Sequence, residues 1–136
     1  VMSRAARLGA GFTLIELLIV IAIMGVLGSI VSPYASQAMR RARAEAERMT
    51  VERTIERLAF RAFAEGRGVT LEAKGGELAW SVANESPQRL QLDYVFFDPA
   101  QRVFINTGGY ADREFVALTQ AGRARRIALN TWLESK

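Results

Sequence analysis

The sequence predicts an α+β fold, with one long N-terminal helix whose second half covers one face of a C-terminal antiparallel β-sheet. Three observations carry that expectation. An almost uninterrupted apolar run, Phe12 to Val31, leads into a stretch rich in alanine, arginine and glutamate that reaches Glu65. Beyond Gly68 the apolar residues change from helical spacing to alternation. All strand-like segments follow the helix, which gives segregated layers rather than a βαβ repeat.

The apolar run comes first. Twenty apolar residues in a helix rise about 30 Å, the thickness of a bilayer core, so residues 12–33 read as a single membrane-spanning segment. Glu16 is the exception within it. A carboxylate at the centre of a spanning helix costs about 2.5 kcal/mol or more. No cation lies inside the run, so its partner is a lipid headgroup, another chain, or a new amino terminus. Residues 1–11 carry Arg4 and Arg7 and no acid. Positive charge flanking a span stays in the cytoplasm, which sends the bulk of the chain to the other side. Gly25 and Gly28 each weaken a helix by about 1 kcal/mol relative to Ala. Pro33 lacks an N–H and crowds the preceding turn. The expectation is a continuous or gently bent helix that melts locally around these three positions when subunits pack.

Residues 34–65 continue the helix. Ala, Glu, Arg, Met and Leu favour it, and Arg43–Glu47 and Arg48–Glu52 are pairs four apart. Ala44, Val51, Ile55, Leu58 and Ala62 share one face and should pack on the sheet. Phe60 lies on the opposite side and reads as a flank of the core rather than a subunit contact. Arg53, Arg57 and Arg61 read as a solvated stripe beside Glu52 and Glu56. Gly66 and Gly68 suit a left-handed cap.

In residues 66–136, Val69–Ala73 and Leu78–Val82 form a hairpin about Lys74-Gly75-Gly76. Leu90–Phe97 reads as a third strand, Asp98-Pro99-Ala100-Gln101 as a turn, and Val103–Ile105 as a short fourth strand. After a loop at 106–112, Phe115–Thr119 and Arg126–Asn130 form a last hairpin about Gln120-Ala121-Gly122. Trp132 and Leu133 pack back on the core.

Composition narrows the chemistry. The 136 residues include no cysteine and no histidine, which removes disulfides, the commonest metal ligand and the usual general base. Asp93, Asp98 and Asp112 are scattered rather than clustered as an oxygen-ligand site. No catalytic residue, metal or cofactor is expected. The formal net charge is +4, and Lys74 and Lys136 are the only lysines.

Gly11-Phe12-Thr13-Leu14-Ile15-Glu16, between a short basic leader and a full span, resembles the prepilin peptidase site of the type IV pilin family, which includes the pseudopilins of type II secretion. The resemblance implies a pilin fold and a leader at residues 1–11. A membrane-embedded aspartyl peptidase would cut between Gly11 and Phe12 and methylate the Phe12 amine. The apolar run then stays on the mature protein, whereas an ordinary secretory signal would be cut after it, near Ser32 to Ala38. Glu16 would pair with the Phe12 amine, its own or a neighbouring subunit's. Gly25 and Pro33 fall where the family commonly has helix-weakening residues.

Among family members the strand-rich tail looks most like a minor pseudopilin of type II secretion. That implies an inner-membrane protein with a periplasmic domain, assembled with other pilins or pseudopilins by a platform protein and an ATPase into a periplasmic pseudopilus that helps export folded proteins. The alternative is a minor type IV pilin that primes pilus assembly or takes up DNA. Gly122-Arg123-Ala124-Arg125, followed by Arg126, resembles a Gly-Arg-x-Arg string of DNA-capturing minor pilins, and arginines on a loop contact phosphates without reading sequence. A membrane-anchored enzyme is the third class, and no motif in the chain supports it.

Overall fold

Helix α1 runs from Leu14 to Glu65 in the computed structural model, which describes residues 11–131. The leader before Gly11, and Trp132 and Leu133, lie outside the described residues. The chain divides into two units after Ala38.

The first unit contributes the N-terminal part of α1. Thr13 caps it: its hydroxyl oxygen accepts the Glu16 N–H at 3.3 Å, and its carbonyl accepts the Leu17 N–H at 3.1 Å. The hydroxyl satisfies one of the four donors that every helix start leaves open, and the carbonyl accepts the first regular helical bond. Helix continues through Gly25, Gly28 and Pro33. The hydroxyls of Ser29 and Ser36 turn back onto the carbonyls of Val26 and Pro33, at 2.7 and 3.0 Å. Every described residue up to Arg43 is exposed.

The second unit, Met39 onward, holds the core. Its part of α1 buries Ala44, Val51, Thr54, Ile55, Leu58, Ala59 and Ala62. The predicted apolar face is therefore the packed face, widened by Thr54 and Ala59. Burying Val, Ile or Leu contributes about 1.5–3 kcal/mol each. Phe60 is not a core flank: it stays 71% exposed, and Phe63 65%, because their positions turn away from the stripe. The helix ends in a Schellman motif, with Gly66 at φ 64° and the Arg67 N–H bonded to the Ala62 carbonyl at 3.2 Å. Arg61 and Arg67 then converge on Glu85, tying the helix end to the loop after the first hairpin.

Six strands follow: β1 Val69–Gly75, β2 Glu77–Val82, β3 Gln88–Gln91, β4 Val95–Ile105, β5 Phe115–Gln120 and β6 Arg123–Ala128. They lie in the order β3-β2-β1-β4-β5-β6, all antiparallel. The core gathers Leu71, Leu78, Val95, Phe97, Val103, Ile105, Val116 and Leu118 beneath the helix stripe.

Two sequence expectations fail in the middle of the sheet. The predicted third strand, Leu90–Phe97, is two strands broken at 92–94, and the predicted turn at 98–101 lies inside β4. The cause of the first is Glu47. Its carboxylate accepts the N–H groups of Asp93, Tyr94 and Val95 at 2.9, 2.7 and 3.0 Å, so Asp93 and Tyr94 need no strand partner and the chain re-enters the sheet at Val95. Arg43, one turn earlier, donates to the Tyr94 hydroxyl at 3.0 Å. At the second break, Ala73 pairs with Gln101 and Gly75 with Phe97. Asp98, Pro99 and Ala100 thus bulge opposite Lys74 alone, where proline's missing N–H costs no ladder bond. The bulge also leaves β5 short of a partner. The buried Gln101 side chain supplies one, donating to the Ala117 carbonyl at 2.7 Å and accepting its N–H at 2.9 Å.

Glu47→Ala leaves three N–H groups without their acceptor. The expected cost is about 2 kcal/mol, read as a lowered urea midpoint with an unchanged slope, whereas the neighbouring Ala46→Ser leaves the midpoint within error.

Candidate processing and assembly site

Gly11 and Phe12 precede the helix and are exposed. Thr13 is the cap, and Glu16 falls in the first turn of α1. An acid there interacts favourably with the open N–H groups of the helix start, by about 0.3–1 kcal/mol. Glu16 is therefore a helix-start residue as well as a lone acid in an apolar run. Among the described residues its carboxylate has no partner. Phe12 lies before the cap, outside the helical turn that contains Glu16.

The remainder of the run carries its apolar side chains outward on every side. Leu14 is 85% exposed and Ile15 70%, and Leu18, Ile21, Met24, Val26, Ile30 and Val31 are exposed as well. This is the one helix among the described residues that is long and apolar enough to cross a membrane. A Cβ at Gly11, Gly25 or Gly28 would meet nothing within 4 Å. The isolated chain therefore does not require glycine at these three positions.

The arginine-rich hairpin forms a second cluster. Ala121 and Gly122, at φ 50° and 73°, make the two-residue turn between Gln120 and Arg123, the primed geometry that suits a hairpin twist. Strand β6 opens at Arg123, three residues earlier than the sequence suggested. Alternation puts Arg123 and Arg125 on the face of the buried Ile127. Arg126 points the other way, its guanidinium 4.4 Å from the centre of the Phe115 ring. The predicted triplet is thus split between two faces.

On the inner face the two arginines meet residues of α1. Arg41, Ala42 and Glu45 line a hollow of about 430 Å³ together with Gln120, Arg123 and Arg125. Glu45 accepts from Arg48 at 2.7 Å and from the Gln120 amide at 2.6 Å. These bonds, Arg48 first, hold its carboxyl at about 2. Arg41, Glu45 and Gln120 did not stand out in the sequence, because their partners lie some eighty residues away along the chain. The four-residue spacing of Arg41 and Glu45 on one face of α1 was the available signal. Among the described residues no group of three or more His, Cys, Asp or Glu side chains converges to hold a metal.

Residues 7–32 match the prokaryotic N-terminal methylation motif. The match covers Gly11, Phe12, Glu16, Gly25 and Gly28 and stops just short of Pro33. It supports a prepilin-like subunit of the type IV pilin-like family, processed by a prepilin peptidase and assembled with other pilin subunits. Comparison with curated proteins and with solved structures gave no match.

The depressed Glu45 carboxyl gives a pH signature. Its folded value lies below the ordinary carboxylate value of 4.5, so its stabilising contribution is full above that value and is lost as pH falls toward 2. Glu45→Gln should flatten the stability profile between pH 5 and 2, measured by urea midpoints, while its midpoint at pH 7 falls. An acid limb with unaltered slope contradicts the ion pair.

Proposed function

We propose that this chain is a minor pseudopilin of a type II secretion system. It is cut after Gly11, methylated on Phe12, and drawn from the inner membrane into a short periplasmic filament that helps export folded proteins. The observation that carries the reading is the fully exposed apolar length of α1 with a single acid in its first turn. Such a surface has no stable place in water and fits lipid first and helices of other subunits later.

Cleavage would create an ammonium at Phe12 four residues from Glu16. Methylation keeps that amine basic. In the membrane the Glu16 carboxylate reaches headgroups or its own terminus; in a filament it would take the Phe12 amine of a neighbour. An unpaired charge among apolar helices is strongly disfavoured, so the pair would act as a registration device as well as an anchor. The glycines at 11, 25 and 28 make sense in the same frame. The chain alone does not need them, but the peptidase would need small Gly11 at the scissile bond, and helices packed side by side approach closest at small residues. Gly25, Gly28 and Pro33 would let the helix open locally during packing. A minor type IV pilin would share each of these steps and differ in what its filament does.

Gly11→Ala is expected to block leader removal, and a mature-size band in membranes containing the peptidase would sink the processing step. Glu16→Leu is expected to insert normally, since it removes only a charge, yet to be lost from sheared or cross-linked filaments by more than about tenfold. Normal incorporation of Glu16→Leu would count against the ion pair.

A further inference from the structure

We infer that the hollow between α1 and the β5–β6 hairpin binds a phosphate-class oxyanion, supplied by the headgroup of an anionic phospholipid. The hollow is lined by three arginines, Arg41, Arg123 and Arg125, and by one acid, Glu45. That acid is already engaged: Oε1 accepts from Arg48 and Oε2 from Gln120. Among the described residues, the side chains of Arg41 and Arg123 make neither a hydrogen bond nor an ion pair. A second hollow of about 350 Å³ shares Glu45, Gln120 and Arg125 and adds Arg48 and Arg126. Arg48 is paired with Glu45 and Glu52 and Arg126 turns to the Phe115 ring, so the net positive charge of the first hollow comes from Arg41, Arg123 and Arg125.

Like charges converging on a concavity repel one another and raise the local concentration of counter-ions. Arginines that merely solvate a surface are arranged differently here: Arg53 and Arg57 stand on the exposed face of α1 with Glu56 beside them. In the hollow the fold brings the groups together. The two-residue turn at Ala121-Gly122 starts β6 at its tip, and alternation aims Arg123 and Arg125 at the helix side. Arginines lining one hollow from two elements suit the several oxygens of a phosphate, since each guanidinium can donate two parallel bonds.

The choice of lipid as source rests on the reading that residues 12–31 lie in a bilayer. Arg41 follows Val31 by ten residues, a length of chain that spans at most about 35 Å. Whatever the angle between the two units, the hollow stays within that tether of a lipid surface.

The test uses the full chain carrying Ala124→Cys, its only cysteine, labelled with an environment-sensitive dye on the outer face of β6. Inorganic phosphate is titrated in neutral detergent. The same protein is placed in phosphatidylcholine nanodiscs with and without phosphatidylglycerol, and duplex DNA is titrated in a third arm. The expected result is a saturable response to phosphate and a further response in the phosphatidylglycerol discs. Both should weaken about tenfold in Arg41→Gln/Arg123→Gln/Arg125→Gln and stay unchanged in Arg53→Gln/Arg57→Gln. Arg123→Gln alone, at the hairpin tip, keeps the test decisive if the triple variant fails to fold.

No phosphate response, or equal weakening in both sets of variants, overturns the site. A response to phosphate without one to phosphatidylglycerol, in discs that do hold the protein, overturns the lipid source. Failure to enter discs with an intact phosphate response counts against the membrane reading and supports the oxyanion site. A response to DNA alone assigns the arginines to nucleic acid and overturns the proposal.

Discussion

The constraint on which the rest of the molecule depends is that one helix carries two apolar surfaces of different kinds. From Leu14 to Val31 α1 is apolar around its circumference, Glu16 apart, and exposed. From Ala44 to Ala62 it is apolar along one stripe, and that stripe is buried beneath the sheet. A striped helix is completed by its own domain, whereas one that is apolar all round has to be completed by something else. The chain supplies the first cover; on the proposed reading, lipid or neighbouring subunits supply the second. The same division explains why the glycines at 25 and 28 meet open space while Gly66 serves a specific left-handed helix end.

Within the globular unit, side chains repeatedly stand in for missing backbone partners. Glu47 takes three N–H groups where β3 and β4 part. The Gln101 amide exchanges two bonds with Ala117 where β4 bulges. Asn130 does the same for Ala111, accepting its N–H at 2.7 Å. Each substitution permits a local departure from regular pairing without leaving buried polar groups unsatisfied. In this way β4 serves two partners, β1 and β5, from a single length of chain.

The parts of this architecture that depend on local periodicity were readable from the residues. The stripe Val51, Ile55, Leu58, Ala62, the glycine-ended helix, the Gly75-Gly76 turn and the last hairpin all follow from spacing and turn chemistry. What escaped was set by contacts distant in sequence. Asp98-Pro99 carries a turn signature, but β1 and the Gln101 amide make it a bulge inside a strand. Leu90–Phe97 alternates like one strand, but a carboxylate some 46 residues earlier divides it. Phe60 and Phe63 resemble core residues by type and lie exposed by helical phase. At the candidate site, Gly11, Phe12 and Glu16 were chosen on a contiguous string, and the structure adds only their place before and within the first turn of α1. The hollow at Arg41, Arg123 and Arg125 was half legible, since only the hairpin arginines are neighbours in the chain.

Filament entry as proposed requires that the apolar run be retained behind a processed terminus rather than discarded. Mass spectrometry of the N-terminal peptide, after expression with a prepilin peptidase, decides this. The expected peptide begins at Phe12 with one added methyl group, with Glu16 and the whole run still attached. A mature chain beginning between Ser32 and Met39, or one that keeps residues before Gly11 in the peptidase's presence, would contradict it.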